Sequence, residues 1–389
     1  EKDLKWLGMS WDGYFCQSQR FARYEEIKNS LIASGRLYPC FETAEELELK
    51  RKVQLGRNLP PIYDRASLKL STNQQQELIA SGKNPHYRFR LKEGQITWTD
   101  LIRGEIKFNA EHISDPIVIR GDGSFTYLLC SVIDDIDYHI THILRGEDHI
   151  SNTAVQIQMI EALEGEIPTF GHLCMFKSKE GKISKRIGGF EIKSLREEGY
   201  SPMAINSLLA KLGSSDPVKP YYQLSDLIQE FDFTKCGRAA VNYDVEDLDN
   251  LNHKYVTHAS HNQVKNELQE LGLSHIDAKF WEGVHANISK LDDLKLWWQI
   301  CREPVEPVIS PENKTFLSEA AGTLPKNINA ENWAQWIAAV KQASGKQGKA
   351  LFMPLRLAIT GLEHGPEMPI IATLIGHEKL VRRLKGEKC

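Results

Sequence analysis

From Pro116 to Leu163 the chain switches repeatedly between two periodicities, and this constrains its fold more than any other feature. The apolar run Ile117-Val118-Ile119 reads as a strand, Asp122-Gly123 as a turn and Leu128 to Ile136 as a helix. His139 to Leu144 reads as a second strand, and about Ser151 to Leu163 as a second helix. Strand, helix, strand, helix predicts an α/β unit with a parallel sheet, since parallel neighbours need a helix-length crossover between them.

The flanks read differently. Phe21, Tyr24, Ile27, Leu31 and Ile32 recur at helical spacing ahead of Gly35, a helix stop. Thr43 and Glu46 form a T-x-x-E capping box before Leu47 and Leu49. Tyr87, Phe89 and Leu91 alternate with Arg88, Arg90 and Lys92 as in a half-exposed strand, and Ile96, Trp98, Ile106 and Phe108 continue the β pattern. Ser201-Pro202 opens a helix that Gly213 closes, and from roughly Tyr222 the pattern is helical to the end.

A chain of 389 residues with 41% hydrophobic content can bury a full core and should divide into about two or three domains. No apolar run reaches membrane-spanning length and the start has no signal-peptide layout, so a cytoplasmic protein is expected. Seven cysteines, an odd number without a C-x-x-C pair, argue against a disulfide framework and a self-contained zinc knuckle. A net charge of −4 gives no global attraction to nucleic acid, so any RNA contact must use local patches. Candidates are Lys50-Arg51-Lys52, the cluster Lys182, Lys185 and Arg186, and the tail Lys379, Arg382, Arg383 and Lys385. Each also reads as a solvated face.

The chemistry concentrates in Phe176-Lys177-Ser178-Lys179-Glu180-Gly181-Lys182-Ile183-Ser184-Lys185-Arg186-Ile187-Gly188. Two lysines three apart, with glycines on either side, can close over a triphosphate and stabilise charge that builds during transfer. The segment is not a P-loop, and by composition alone it reads as a solvated lysine-rich turn. Lys182-Ile183-Ser184-Lys185-Arg186 resembles the K-M-S-K-S signature of class I aminoacyl-tRNA synthetases, in the form common in glutamyl enzymes. Upstream, Leu144-Arg145-Gly146-Glu147-Asp148-His149 resembles their R-G-E-D-H segment. Further similar stretches are Asp3-Leu4-Lys5-Trp6-Leu7-Gly8, Leu101-Ile102-Arg103-Gly104, Phe125-Thr126-Tyr127 leading to Val132-Ile133-Asp134-Asp135, and Pro354-Leu355-Arg356-Leu357-Ala358-Ile359-Thr360-Gly361. By these residues the chain is similar to glutamyl-tRNA synthetases over almost its whole length.

The resemblance implies an α/β fold: a Rossmann-like catalytic domain (1–19 and 116–180) with an acceptor-stem-binding insertion (20–115). A lysine-loop and connecting helical region (181–221) and an all-α stem-contact and anticodon-binding region (222–389) would follow. It implies ATP-dependent attachment of L-glutamate to tRNA(Glu) through a glutamyl adenylate, with Mg2+, in a monomer, the first step generally waiting for bound tRNA. It leaves open whether tRNA(Gln) is charged too.

Residue by residue, the resemblance implies these roles: Lys185 contacts ATP phosphates, supported by Lys182 with Ser184 between them, while the backbone at Cys174 and Met175 reads the adenine edge. Arg145 holds a carboxylate of glutamate, a task suited to its bidentate fork, with an ion pair to Asp148 or another acid as the structural alternative. Tyr127 lines the amino-acid pocket, or is an ordinary core tyrosine. Glu147 and Asp148 border both sites. Arg356 is an anticodon-side candidate, and Trp333 and Trp336 could stack on RNA bases or sit in the core.

Three departures stand out. Ser131 occupies a position where some members carry an asparagine that helps hold the glutamate amino group. Where some bacterial members bind zinc through C-x-C and a later C-x-H, this chain has Cys40 and Glu42 and no C-x-H near Tyr63-Asp64, so no zinc is expected. None of the thirteen histidines lies in an H-I-G-H context. The chain is therefore expected to start inside the catalytic domain and to lack part of the ATP site. A glutaminyl enzyme is disfavoured by the helical C-terminal pattern, and a short tRNA-modifying paralogue by length. A noncatalytic tRNA-binding descendant is disfavoured by Lys185 and Arg145.

Overall fold

The computed structural model of the chain describes residues 1–178 and 191–389. Thr43 accepts from the Glu46 amide while the Glu46 carboxylate accepts from the Thr43 amide, so the reciprocal cap forms and starts the helix Ala44–Gly56. The helix Phe21–Ala33 ends ahead of Gly35, whose φ of +70° lies in the left-handed region that a residue without Cβ enters freely. Pro202–Lys211 likewise begins at its proline, where the missing amide costs nothing.

Strand pairing is mixed, where a parallel sheet was expected from Pro116 onward. Strands β1 (Leu37–Cys40) and β2 (His86–Phe89) are antiparallel, and β3 (Gln95–Asp100) with β4 (Gly104–Asn109) forms a hairpin that pairs Ile96 with Phe108 and Trp98 with Ile106. β5 (Ile117–Ile119) joins β2, also antiparallel. The parallel pairs are β6 (His142–Gly146) with β7 (Thr169–Leu173), and β8 (Phe176–Ser178) with β9 (Val241–Tyr243). A three-residue apolar run carries no direction, so β5 takes its sense from the edge it meets. β9 lies in the stretch expected to be wholly helical. Arg88, expected on the exposed side of β2, is buried, its guanidinium 4.0 Å from the Tyr63 ring centre.

The crossover from β6 to β7 is the helix Ile150–Ala162, buried on nearly every side. Val155, Met159 and Ile160 pack with Tyr24, Leu31, Phe89, Val118 and Ile133, while Ala154 and Ile157 pack with Ile96, Trp98 and Phe170 of the hairpin and β7. A helix between two apolar layers keeps no solvent face. Its polar residues Thr153 and Gln156 are therefore forced to find partners at the strand ends.

Residues 20–24 are tied to the helix Tyr127–Asp137 by Arg20, whose Nε lies 2.7 Å from Asp134, by Arg23 at 2.9 Å from Asp137, and by the Tyr24 hydroxyl, which donates to Asp134. From Val245 the chain is helical; Leu248 and Leu251 pack with Leu7, Tyr200 and Ile205, and from Tyr255 onward the apolar side chains share one core around Phe280, Trp281, Leu294 and Trp297. Trp333 and Trp336 belong to that core, and Trp336 Nε1 donates to the Ala320 carbonyl at 3.1 Å. Among the described residues no helix is long and apolar enough to cross a membrane.

Candidate active site

The end of β6 brings three expected residues together. Arg145 sits opposite His172 in the parallel register. Its guanidinium donates at 2.6 Å to both Thr153 Oγ1 and Gln156 Oε1, and more weakly at 3.3 Å from Nε to His172 Nε2. Gln156 in turn donates to Ser131 Oγ at 3.0 Å. Ser131 lies one turn along from Tyr127, so both share a helix face. Tyr127 is 56% exposed, which rules out the ordinary core tyrosine, and its ring lies 6.3 Å from that of His149. Burial lowers the pKa of Arg145 from its ordinary value, opposed by Tyr127, Asp135 and Asp148 nearby. The arginine is thus gripped mainly by neutral acceptors, which leaves its charge for a ligand carboxylate.

Sequence reasoning missed Gln156, His172 and Asp135. Asp135 is pushed up to about 6 by burial and by Asp134, against the pull of Arg145, so it is an acid facing the same space. The available signal was spacing: Tyr127, Ser131 and Asp135 recur every fourth residue, and Thr153 and Gln156, with Gln158, are the polar positions in the buried stretch from Thr153 to Ile160.

Other expected residues are placed differently. Glu147 pairs with Arg103 and accepts from the Met175 amide at 3.2 Å. The Met175 carbonyl accepts from Val241 at 3.1 Å. Both backbone groups of Met175 are therefore engaged within the chain, and a base edge there would have to share or displace them. Cys174 directly follows β7. Lys182, Ser184 and Lys185 lie outside the described residues. Arg356 is half-buried and donates to the Pro366 carbonyl at 3.1 Å, and burial lowers its pKa, so it is partly consumed by packing. Of the basic tail, Arg383 is fully buried and is neither a solvated face nor an RNA contact.

At Cys40 and Glu42, the positions read against a zinc-binding C-x-C, the ligand atoms of Cys40, Glu42 and His86 lie within 4.8 Å of one another. His86 was not among the residues expected there. The Tyr63 hydroxyl donates to Glu42 at 2.7 Å and Ser67 donates to its other oxygen at 3.0 Å. Burial pushes the Cys40 thiol up to about 11, which keeps it protonated. A carboxylate already satisfied by two hydroxyls and a neutral thiol fit a closed zinc site poorly, since zinc takes thiolates. His86 Nε2 is buried with no hydrogen-bond partner among the described residues, and is where a cation would bind first.

Comparison with known proteins identifies the family. Residues 1–250 match the family "tRNA synthetases class I (E and Q), catalytic domain", and residues 303–386 match "Anticodon binding domain". The chain is 50% identical over 386 residues to glutamate–tRNA ligase 1 of Rickettsia felis, covering 99% of this chain and 86% of the relative. It is 50% identical over 385 residues to the protein of that name from Rickettsia prowazekii, with 99% and 86% covered. The crystal structure of a glutamate tRNA ligase from Elizabethkingia meningosepticum, in complex with its amino acid, superposes with a TM-score of 0.75 at 24% identity, over 98% of this chain and 87% of that one, and so supports the fold. The chain belongs to the class I tRNA synthetases of the E and Q group, and within it to the family of the glutamate–tRNA ligases.

Proposed function

We propose that the space bounded by Arg145, Tyr127 and Ser131 binds L-glutamate for ATP-dependent attachment to tRNA(Glu). The observation that carries this is the convergence of a half-buried guanidinium, a phenol and a hydroxyl at the end of β6, the strand end where α/β sheets bind ligands. The glutamate α-carboxylate attacks the α-phosphate of ATP in line, forming the P–O bond of glutamyl adenylate as diphosphate leaves. A terminal ribose hydroxyl of tRNA then attacks the adenylate carbonyl and AMP leaves. ATP enters as its magnesium complex. Lys185, supported by Lys182 and Ser184, stabilises charge on the phosphates, and the backbone at Cys174 and Met175 borders the adenine. Residues 20–115 hold the acceptor end and 222–389 reach the anticodon stem and loop, with Arg356 the candidate contact there.

The test is charging of unfractionated tRNA with labelled glutamate by protein translated from the gene's own start codon. The parent should charge, and Lys185→Ala should charge about 100-fold more slowly. A parent that binds tRNA and never charges it would make this a noncatalytic binding protein.

The insertion is further proposed to be held by the Tyr63–Glu42–Ser67 network without zinc. Elemental analysis of purified protein should find no stoichiometric zinc. One equivalent, lost in His86→Ala, would overturn this.

A further inference from the structure

The Leu101-Ile102-Arg103-Gly104 turn and the fully buried His172 have no part in the reaction as described. Their bonds nonetheless converge on Arg145. Asp100, at the end of β3, is 2% exposed. Its Oδ1 accepts from the amides of Ile102 and Arg103 at 3.0 Å and of His172 at 3.2 Å, and its Oδ2 accepts from His172 Nδ1 at 2.5 Å. Burial alone would raise the pKa of Asp100, but the His172 bond and these amides outweigh it and hold the carboxyl below its usual range. His172 is lowered by burial, then by the charges of Arg145 and Arg103, against the pull of Asp100. The imidazole is therefore neutral, and the carboxylate at Nδ1 requires the proton there. Nε2 is left as a lone pair 2.9 Å from Thr153 Oγ1 and 3.3 Å from Arg145 Nε.

We infer that Asp100 and His172 are positioning residues for Arg145: the carboxylate fixes the tautomer of His172, whose Nε2 lone pair accepts from the guanidinium and sets its fork toward glutamate. This rests on the reading of Arg145 as the group that holds a glutamate carboxylate. The device belongs to the acceptor-stem insertion as much as to the catalytic sheet. Leu101 N donates to the Phe170 carbonyl at 2.9 Å, Arg103 Nε donates to the His172 carbonyl at 3.2 Å, and Arg103 also pairs with Glu147 just beyond β6. The hairpin turn thus clamps the two strands whose ends carry the pocket, and a displaced hairpin would displace the arginine.

Tautomer control gives a readout that mere structural support would not. In Asp100→Asn the amide oxygen can still accept from the three backbone amides, but its NH2 now faces Nδ1 and drives the proton to Nε2, against the Arg145 N–H. In His172→Gln the side-chain oxygen can take the place of Nε2 as acceptor, whereas His172→Leu offers none. The experiment measures aminoacylation by full-length protein for these three variants and Arg145→Ala, with KM for glutamate and for ATP from pH 5 to 8 and thermal melts. Asp100→Asn and His172→Leu should raise the glutamate KM about 10- to 100-fold with the ATP KM changed less than about twofold, and His172→Gln should recover most of the loss. In the parent the glutamate KM should climb on the acid side of the ordinary imidazole range, where imidazolium would oppose Arg145, and His172→Gln should lack that limb while keeping the change that titration of Asp135 contributes. An unchanged glutamate KM in Asp100→Asn, or equal losses toward glutamate and ATP, overturns the positioning role while Arg145→Ala still reports on the arginine. An unchanged glutamate KM in Arg145→Ala overturns both. Should Asp100→Asn fail to fold, the contrast between His172→Gln and His172→Leu decides by the same measure.

Discussion

Arg145→Ala is expected to lower kcat/KM for glutamate on the order of 1,000-fold while leaving the KM for ATP near its parent value. The guanidinium is half-buried, and its known partners, Thr153, Gln156 and His172, are neutral, so its charge is not spent on a protein carboxylate. A glutamate carboxylate entering this space gives up water and regains charge-assisted hydrogen bonds, which are the strong kind. Removing the arginine leaves that carboxylate desolvated and unpaired beside Asp135, an acid already pushed up to about 6. Losing one partner of such a pair costs about 4 kcal/mol, hence the magnitude. Arg145→Lys keeps the charge and loses the fork, so it should fall between the two. Steady-state kinetics check this, and a loss below about tenfold would mean that another group holds the carboxylate.

Arg383→Ala should destabilise the C-terminal helical region by about 3 kcal/mol. Arg383 is 0% exposed and has no carboxylate partner among the described residues. It donates to the carbonyls of Ile359 at 2.7 Å, Ile300 at 2.8 Å, Cys389 at 3.2 Å and Glu303 at 3.3 Å. Ile300 and Ile359 lie in the last turns of the helices Asp293–Arg302 and Lys349–Thr360. There the unpaired carbonyls concentrate negative potential, so one cation neutralises two helix ends. Alanine leaves these acceptors buried and unsatisfied. Urea unfolding of the full chain, followed by tryptophan fluorescence, should show the transition that reports Trp281, Trp297, Trp333 and Trp336 at lower denaturant. A shift worth less than about 1 kcal/mol would mean that water replaces the guanidinium without loss.

Much of this protein was legible in the chain itself. The Thr43–Glu46 cap, the stop at Gly35, the β pattern of β3 and β4 and the helix Ile150–Ala162 each depend on residues a few positions apart, so their chemistry is complete within a short stretch. The motifs around Arg145 and Lys185 named the family, because those matches carry spacing as well as residue type, and Arg145 and Ser131 are linked through Gln156 in the folded chain.

The tertiary structure decided what local chemistry could not. Whether Ile117–Ile119 pairs parallel or antiparallel depends on β2, which a run of three apolar residues does not encode. That Val241–Tyr243 is a strand depends on Phe176–Ser178 lying beside it, far away in sequence. Asp100, Gln156 and His172 read as ordinary polar residues until the hairpin, crossover helix and β7 meet at Arg145. Arg383 looked like part of a solvated basic tail, yet its charge is used by carbonyls from three segments. Periodicity and capping are fixed by neighbours along the chain, whereas the worth of a charge or an edge is fixed by what folding brings against it.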